Sequence, residues 1–97
     1  MKIKTIFRTF HTGDVIALFP EIPADNHGQY CLSYQKIGQH GAASPDLSHC
    51  SRPATAEEAG PLRTELQCIG YTVQEVKRAT AAMRRARLAN LSHLFKA

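Results

Sequence analysis

Val15-Ile-Ala-Leu-Phe-Pro-Glu-Ile-Pro-Ala-Asp-Asn-His-Gly-Gln-Tyr-Cys-Leu-Ser-Tyr-Gln-Lys-Ile37 is the stretch whose reading decides the fold. Val15 to Phe19 is continuously apolar, which suits a strand interior to its sheet and covered on both sides. Pro20 and Pro23 are expected to stop ladder pairing. Ala24-Asp-Asn-His-Gly28 is rich in turn formers and reads as an exposed loop. From Gln29 to Ile37 the pattern alternates: Tyr30, Leu32 and Tyr34 share one face, Cys31, Ser33 and Gln35 the other. That is a strand with one face in the core. The two tyrosines read as half-buried core rings whose hydroxyls need partners.

Upstream, Lys2 to Phe10 alternates imperfectly, with Ile3, Thr5 and Phe7 on one face and Lys4, Ile6, Arg8 and Phe10 on the other. Its β-branched and aromatic content favours a strand, and His11-Thr-Gly-Asp14 supplies the turn of a hairpin. Downstream, Gly38 to Pro53 shows little periodicity and reads as a sixteen-residue loop. Loops of this length are uncommon in small domains and often functional. Thr55-Ala-Glu-Glu58 is a capping box that opens a helix. Ala59, Leu62, Leu66 and Ile69 repeat at helical spacing, and Gly70 suits the position just past its end. Pro61 predicts a kink near Gly60, or a helix that begins there. Tyr71 to Ala79 reads as a fourth strand, an edge strand ending in Lys77 and Arg78. Thr80 caps a last helix from Ala81 to about Phe95, with Leu88, Leu91 and Phe95 as its apolar stripe and Arg84, Arg85 and Arg87 off the centre of that stripe. The order is β-β-β-α-β-α. It gives a small α+β domain with an antiparallel or mixed four-stranded sheet, one helix packed on a face, a core over 1–79 and a basic helix over 80–97.

Ninety-seven residues make one domain, and 43% hydrophobic with 21% charged residues places it among globular chains. The net charge of +4 is unevenly spread. Residues 1–76 carry six Lys/Arg against eight Asp/Glu, a balance of −2; residues 77–97 carry six Lys/Arg and no acid, a balance of +6. A positive end of this kind favours polyanions or acidic protein surfaces. Three cysteines, Cys31, Cys50 and Cys68, make no disulfide framework. The first residues lack the apolar core of a signal peptide, and no apolar run approaches the ~20 residues that span a bilayer. The expectation is a cytoplasmic protein with no membrane partner, for which the Asn90-Leu-Ser92 sequon carries no meaning.

Val-Ile-Ala-Leu-Phe-Pro-Glu-Ile-Pro-Ala-Asp (15–25), Ser-Tyr (33–34), Gly-Gln-His-Gly-Ala (38–42), Arg-Pro-Ala-Thr (52–55) and Ile-Gly-Tyr (69–71) together form a distinctive string. It resembles a group of small, uncharacterised bacterial proteins frequent on phages and other mobile elements. The resemblance covers roughly residues 3–80 and leaves the basic end largely outside. It implies a bacterial, intracellular, mobile-element setting and brings no activity, cofactor or catalytic residue.

Six side chains, His27, His40, His49, Cys31, Cys50 and Cys68, could ligate metal, but only adjacent His49-Cys50 resembles a pair, and adjacency is poor geometry for one ion. No metal site and no cofactor are expected, since Walker and dinucleotide fingerprints are also absent. His40, beside Gln39 and between Gly38 and Gly41, is the strongest single candidate for a functional side chain. A thiol–imidazole pair of His40 with Cys31 or Cys50, oriented by Asp25 or Asp46, lacks any local signature. The candidate binding residues are therefore Gln39, His40, Lys77, Arg78, Arg84, Arg85 and Arg87. The leading reading is a non-enzymatic module that contacts a protein or nucleoprotein partner with an acidic surface, through the long loop and the basic helix. In a mobile-element setting it would modulate a host complex, a defence system included. Behind it stand an electrostatic nucleic-acid-binding accessory protein and a small His/Cys-dependent enzyme. The last helix could also pair with a second copy as a homodimer.

Overall fold

The computed structural model describes residues 2–35, 39–45, 47 and 50–94, with the side chains of Gln39, Ser92, His93 and Leu94 outside that description. Six strands and two helices follow in the order β1 (Ile3–Phe10), β2 (Val15–Pro23), β3 (Cys31–Gln35), β4 (Gln39–Ala43), β5 (Ser51–Pro53), α1 (Ala56–Cys68), β6 (Val73–Glu75) and α2 (Ala81–Leu94). The α+β class stands, with six strands rather than four. The two extra strands lie inside the stretch read as a long loop. β4 pairs antiparallel with β3, and β5 antiparallel with β1. Neither has a strand-like sequence; cross-strand pairing rather than propensity makes them strands.

The sheet runs β4-β3-β2-β1-β5, and β6 also pairs with β1, in parallel. The amide of Ile3 bonds Thr72 O, Thr5 O accepts from Val76, and Phe7 O accepts from Ala54. Residues 3, 5 and 7 point their backbone polar groups to one side of a strand, so β6 and β5 lie end to end along the same side of β1. β2 takes the other side, and its apolar run is interior as expected.

β2 does not stop at Pro20. It continues to Pro23, which pairs with Cys31 across a register shift between Phe19 and Pro23. The irregularity absorbs prolines that cannot donate to a ladder. Tyr30 falls outside β3 and is 46% exposed, while Tyr34 is buried. Ile37, read as the end of this strand, lies outside the described residues.

One sheet face carries Phe7, Ala17, Phe19 and Tyr34, closed by Ala59, Leu62 and Leu66 of α1. Helix α1 runs unbroken from Ala56 through Pro61. Both halves of its capping box form: the Glu58 amide donates to Thr55 Oγ1 and the Thr55 amide to Glu58 Oε1. At the other end Gly70 takes φ +108°, and the Tyr71 and Gly70 amides donate to Leu66 O and Gln67 O, a Schellman closure. The other sheet face carries Ile6, Ile16, Leu18 and Cys31, with Phe10, Ala43, Leu47, Val76 and Ala79 packed around them.

Candidate binding face

Chain irregularity at the end of β2 leaves backbone carbonyls off the ladder, and α2 supplies their donors. Arg87 Nε donates to Gly28 O and Nη1 to Pro20 O, both at 2.8 Å, and Asn90 Nδ2 donates to Glu21 O at 2.9 Å. Arg87 is 3% exposed. Of the three arginines read as lying off the centre of the apolar stripe, Arg87 is turned inward while Arg84 and Arg85 are exposed. Among the described side chains of α2 the buried ones are Met83 and Arg87, one turn apart, while Leu88 of the expected stripe is 36% exposed. Phe95 lies outside the described residues. Thr80 caps the helix as read, its Oγ1 accepting from the Met83 amide.

Gly28 makes this contact close. It sits at φ +72°, and a Cβ there would meet Leu88 Cδ2 at 2.7 Å and Leu91 Cδ1 at 3.0 Å. The turn that holds it is tied by Asp25: Tyr30 N donates to Asp25 Oδ1, Gly28 N to Asp25 O, and Ala24 N to Tyr30 O. These bonds fix the backbone of Tyr30 while its ring stays half in solvent.

Charge is segregated. Lys4 pairs with Glu21, Arg52 with Glu58 and Arg63 with Glu75. Lys77, Arg78, Arg84 and Arg85 are exposed and have no ion-pair partner among the described residues. Three of these four border two clefts that share Pro45. One, of about 280 Å³, lies against Arg8, Leu47, Lys77 and Arg78. The other, of about 520 Å³, lies between the His27–Tyr30 turn and Arg84, Arg87 and Leu88 of α2. No carboxylate lines either cleft among the described residues; Asp46 lies outside them. Arg8 is committed locally, bonding Ser51 Oγ and Ser51 O.

His40 sits on the opposite, α1-covered side. It faces Tyr34 across the β3–β4 ladder, edge-on at 4.7 Å, and its Nε2 lies 2.9 Å from Tyr71 Oη. Tyr34 donates to Glu65 Oε2 at 2.5 Å, and that bond holds its phenol above the ordinary range. Tyr71 stacks on Phe19 at 5.2 Å. Cys31 projects to the other sheet face, where burial pushes its thiol up to about 11. Cys50 is exposed, its Sγ 3.8 Å from Leu47 O. The structure thus joins His40 to two tyrosines and not to Cys31. Gln39 lies in β4, its side chain outside the description, as is His49 of the one adjacent His–Cys pair. No group of three metal-ligating side chains occurs among the described residues, and no described helix is long and apolar enough to cross a membrane.

No family model matches the chain, and no curated protein or solved structure does either.

Sequence reading missed Tyr30, His27 and Gly28 as parts of this face. The signal for Tyr30 was Asp25 five residues before it, an Asx-type acceptor able to draw a residue out of a strand. Tyr71 and Glu65 were missed as partners of His40 and Tyr34 because they sit at the end of α1, far along the chain.

Proposed function

We propose that this chain is a non-enzymatic binding module that docks its cationic face on a polyanionic partner, the nucleic-acid part of a nucleoprotein complex. The observation that carries this reading is the set of four exposed cations, Lys77, Arg78, Arg84 and Arg85, without an ion-pair partner among the described residues, three of which, Lys77, Arg78 and Arg84, border two adjoining clefts with no described carboxylate. Exposed cations without local acids lose little when they exchange counterions for phosphates. The engagement of His40 with Tyr34 and Tyr71, away from both Cys31 and the clefts, favours binding over thiol chemistry. The resemblance of residues 3–80 to small mobile-element proteins supports a bacterial cytoplasmic setting. There such a module would modulate a host complex, a defence system included.

The test is anisotropy of a labelled single-stranded oligonucleotide across a salt series. Four phosphate contacts give a slope of log affinity on log salt of about −3. Reversing all four cations (Lys77→Glu, Arg78→Glu, Arg84→Glu, Arg85→Glu) abolishes binding with the fold retained. A strand that fails to bind at low salt, while an acidic protein does bind, assigns the face to a protein partner instead.

A further inference from the structure

We infer that the cleft between the Asp25–Tyr30 turn and α2 seats one nucleotide of a single strand, its phosphate on Arg87 and Arg84 and its base against Tyr30. This rests on the polyanion reading above and gives it an address. Arg87 is the first reason. Its guanidinium is buried, always charged, and has no carboxylate partner among the described residues. Nε and one Nη1 hydrogen are held by Gly28 O and Pro20 O. The remaining N–H groups have no bond among the described residues, and the side chain lines the cleft. A buried cation without a counterion is costly, and an anion in the cleft removes that cost. Nη2 makes no bond among the described residues and is left to donate to an oxyanion in the cleft.

Arg84 is the second. It lies three residues before Arg87 on the same helix, hence on the same side, and is exposed at the cleft. Two cations, one buried and one exposed, can share a single phosphate.

The third is the wall beside them. Tyr30 presents a half-exposed ring on a backbone fixed by Asp25 and Ala24, and half-exposed Leu88 borders the same cleft. An aromatic face beside a phosphate site is the arrangement by which single strands are held, because every base has a π-face. A carboxylate peptide would satisfy the guanidinium and leave the Tyr30 ring unused. At about 520 Å³ the cleft falls within the ~300–1,000 Å³ of small-ligand sites. Beyond Pro45 it continues to Lys77 and Arg78, where the next phosphates of a strand would lie.

Arg87 is structural as well, so the test leaves it in place. The full chain, labelled with ¹⁵N, is titrated with oligothymidylate, with an abasic deoxyribose-phosphate strand of equal length, and with polyglutamate. Oligothymidylate should shift the Arg87 Nε–H and Gly28 amide resonances. Tyr30→Ala should weaken it about tenfold, Tyr30→Phe should restore it, and the abasic strand should not respond to either. Arg84→Ala should weaken both strands. If the abasic strand binds as tightly as oligothymidylate without moving the Gly28 amide, the seat is overturned and the polyanion reading survives. If neither strand binds at low salt, both fall. If polyglutamate moves the same two resonances equally well, the cleft belongs to an acidic peptide and the nucleotide seat is wrong.

Discussion

The two faces of the sheet are built on different terms. The α1 face is closed by apolar side chains from a helix fixed at both ends, and its polar groups pair among themselves: Tyr34 with Glu65, His40 with Tyr71, Thr9 with Glu58. The other face has a comparably buried floor in Ile6, Leu18 and Cys31, but half-buried residues and short chain segments close it, and α2 is fastened to backbone carbonyls by a buried cation. The same sheet supports both because side chains alternate. The helix-closed core and the face proposed for binding thus lie on opposite sides of the sheet, so a substitution in one should disturb the other little.

The largest expected effect tests that division directly. Leu66→Ala, at a fully buried position under α1, should cost about 2–5 kcal/mol. Leu47→Ala, half-buried over the other face, should cost no more than about 1 kcal/mol. Urea unfolding reads both; equal costs would erase the distinction between the faces.

Next in size is Gly28→Ala, which should cost about 1–3 kcal/mol through crowding of Leu88 and Leu91 on top of backbone strain. Adding Leu88→Ala should relieve the closest contact and leave the strain and the contact with Leu91, so the two changes should be non-additive. Gly13→Ala, at φ +92° with nothing within 4 Å, isolates the strain alone and should cost about 1 kcal/mol. If Gly13→Ala costs as much as Gly28→Ala, α2 is not seated closely on the turn.

The smallest effect belongs to the α1 face and follows pH. Hydrogen bonds from Arg52, then from the Thr55 amide, hold the Glu58 carboxyl down at about 2 against an ordinary 4.5. A carboxyl depressed in the folded state stabilises above its unfolded value, and that contribution is lost as pH falls from 4.5 towards 2. The urea midpoint of the native chain should therefore decline more steeply over that window than that of Glu58→Gln. Parallel declines would mean that the Glu58 charge adds nothing to the hold on α1.

Period-two alternation made the faces of β1 and β3 legible before any coordinates, because a pleated strand has no other way to sort Phe7 from Ile6 or Tyr34 from Ser33. The capping box and Gly70 made both ends of α1 legible, since each residue type there answers one backbone requirement. β4 was opaque because Gly41, Ala42 and Ala43 say little for themselves and pair only because β3 is adjacent. Arg87 was opaque for the opposite reason. Reading by hydropathy turns every arginine outward, whereas the need here was set by two carbonyls 59 and 67 residues away, that of Gly28 in the turn and that of Pro20 at the irregularity of β2. Of the candidate site, the cluster of charge was visible in the sequence. The Tyr30 ring and the clefts required the turn at Asp25 to be seen in space.

Of the six described strands β1 leaves the ribosome first and is among the last to be satisfied. Its outer side waits for Ser51–Pro53 at one end and Val73–Glu75 at the other, seventy positions from Ile3. Until that last short strand emerges, half of the border of β1 is an open edge. Nascent chains stalled before residue 73 should therefore be the ones that chaperones capture, and completion of β6 should release them.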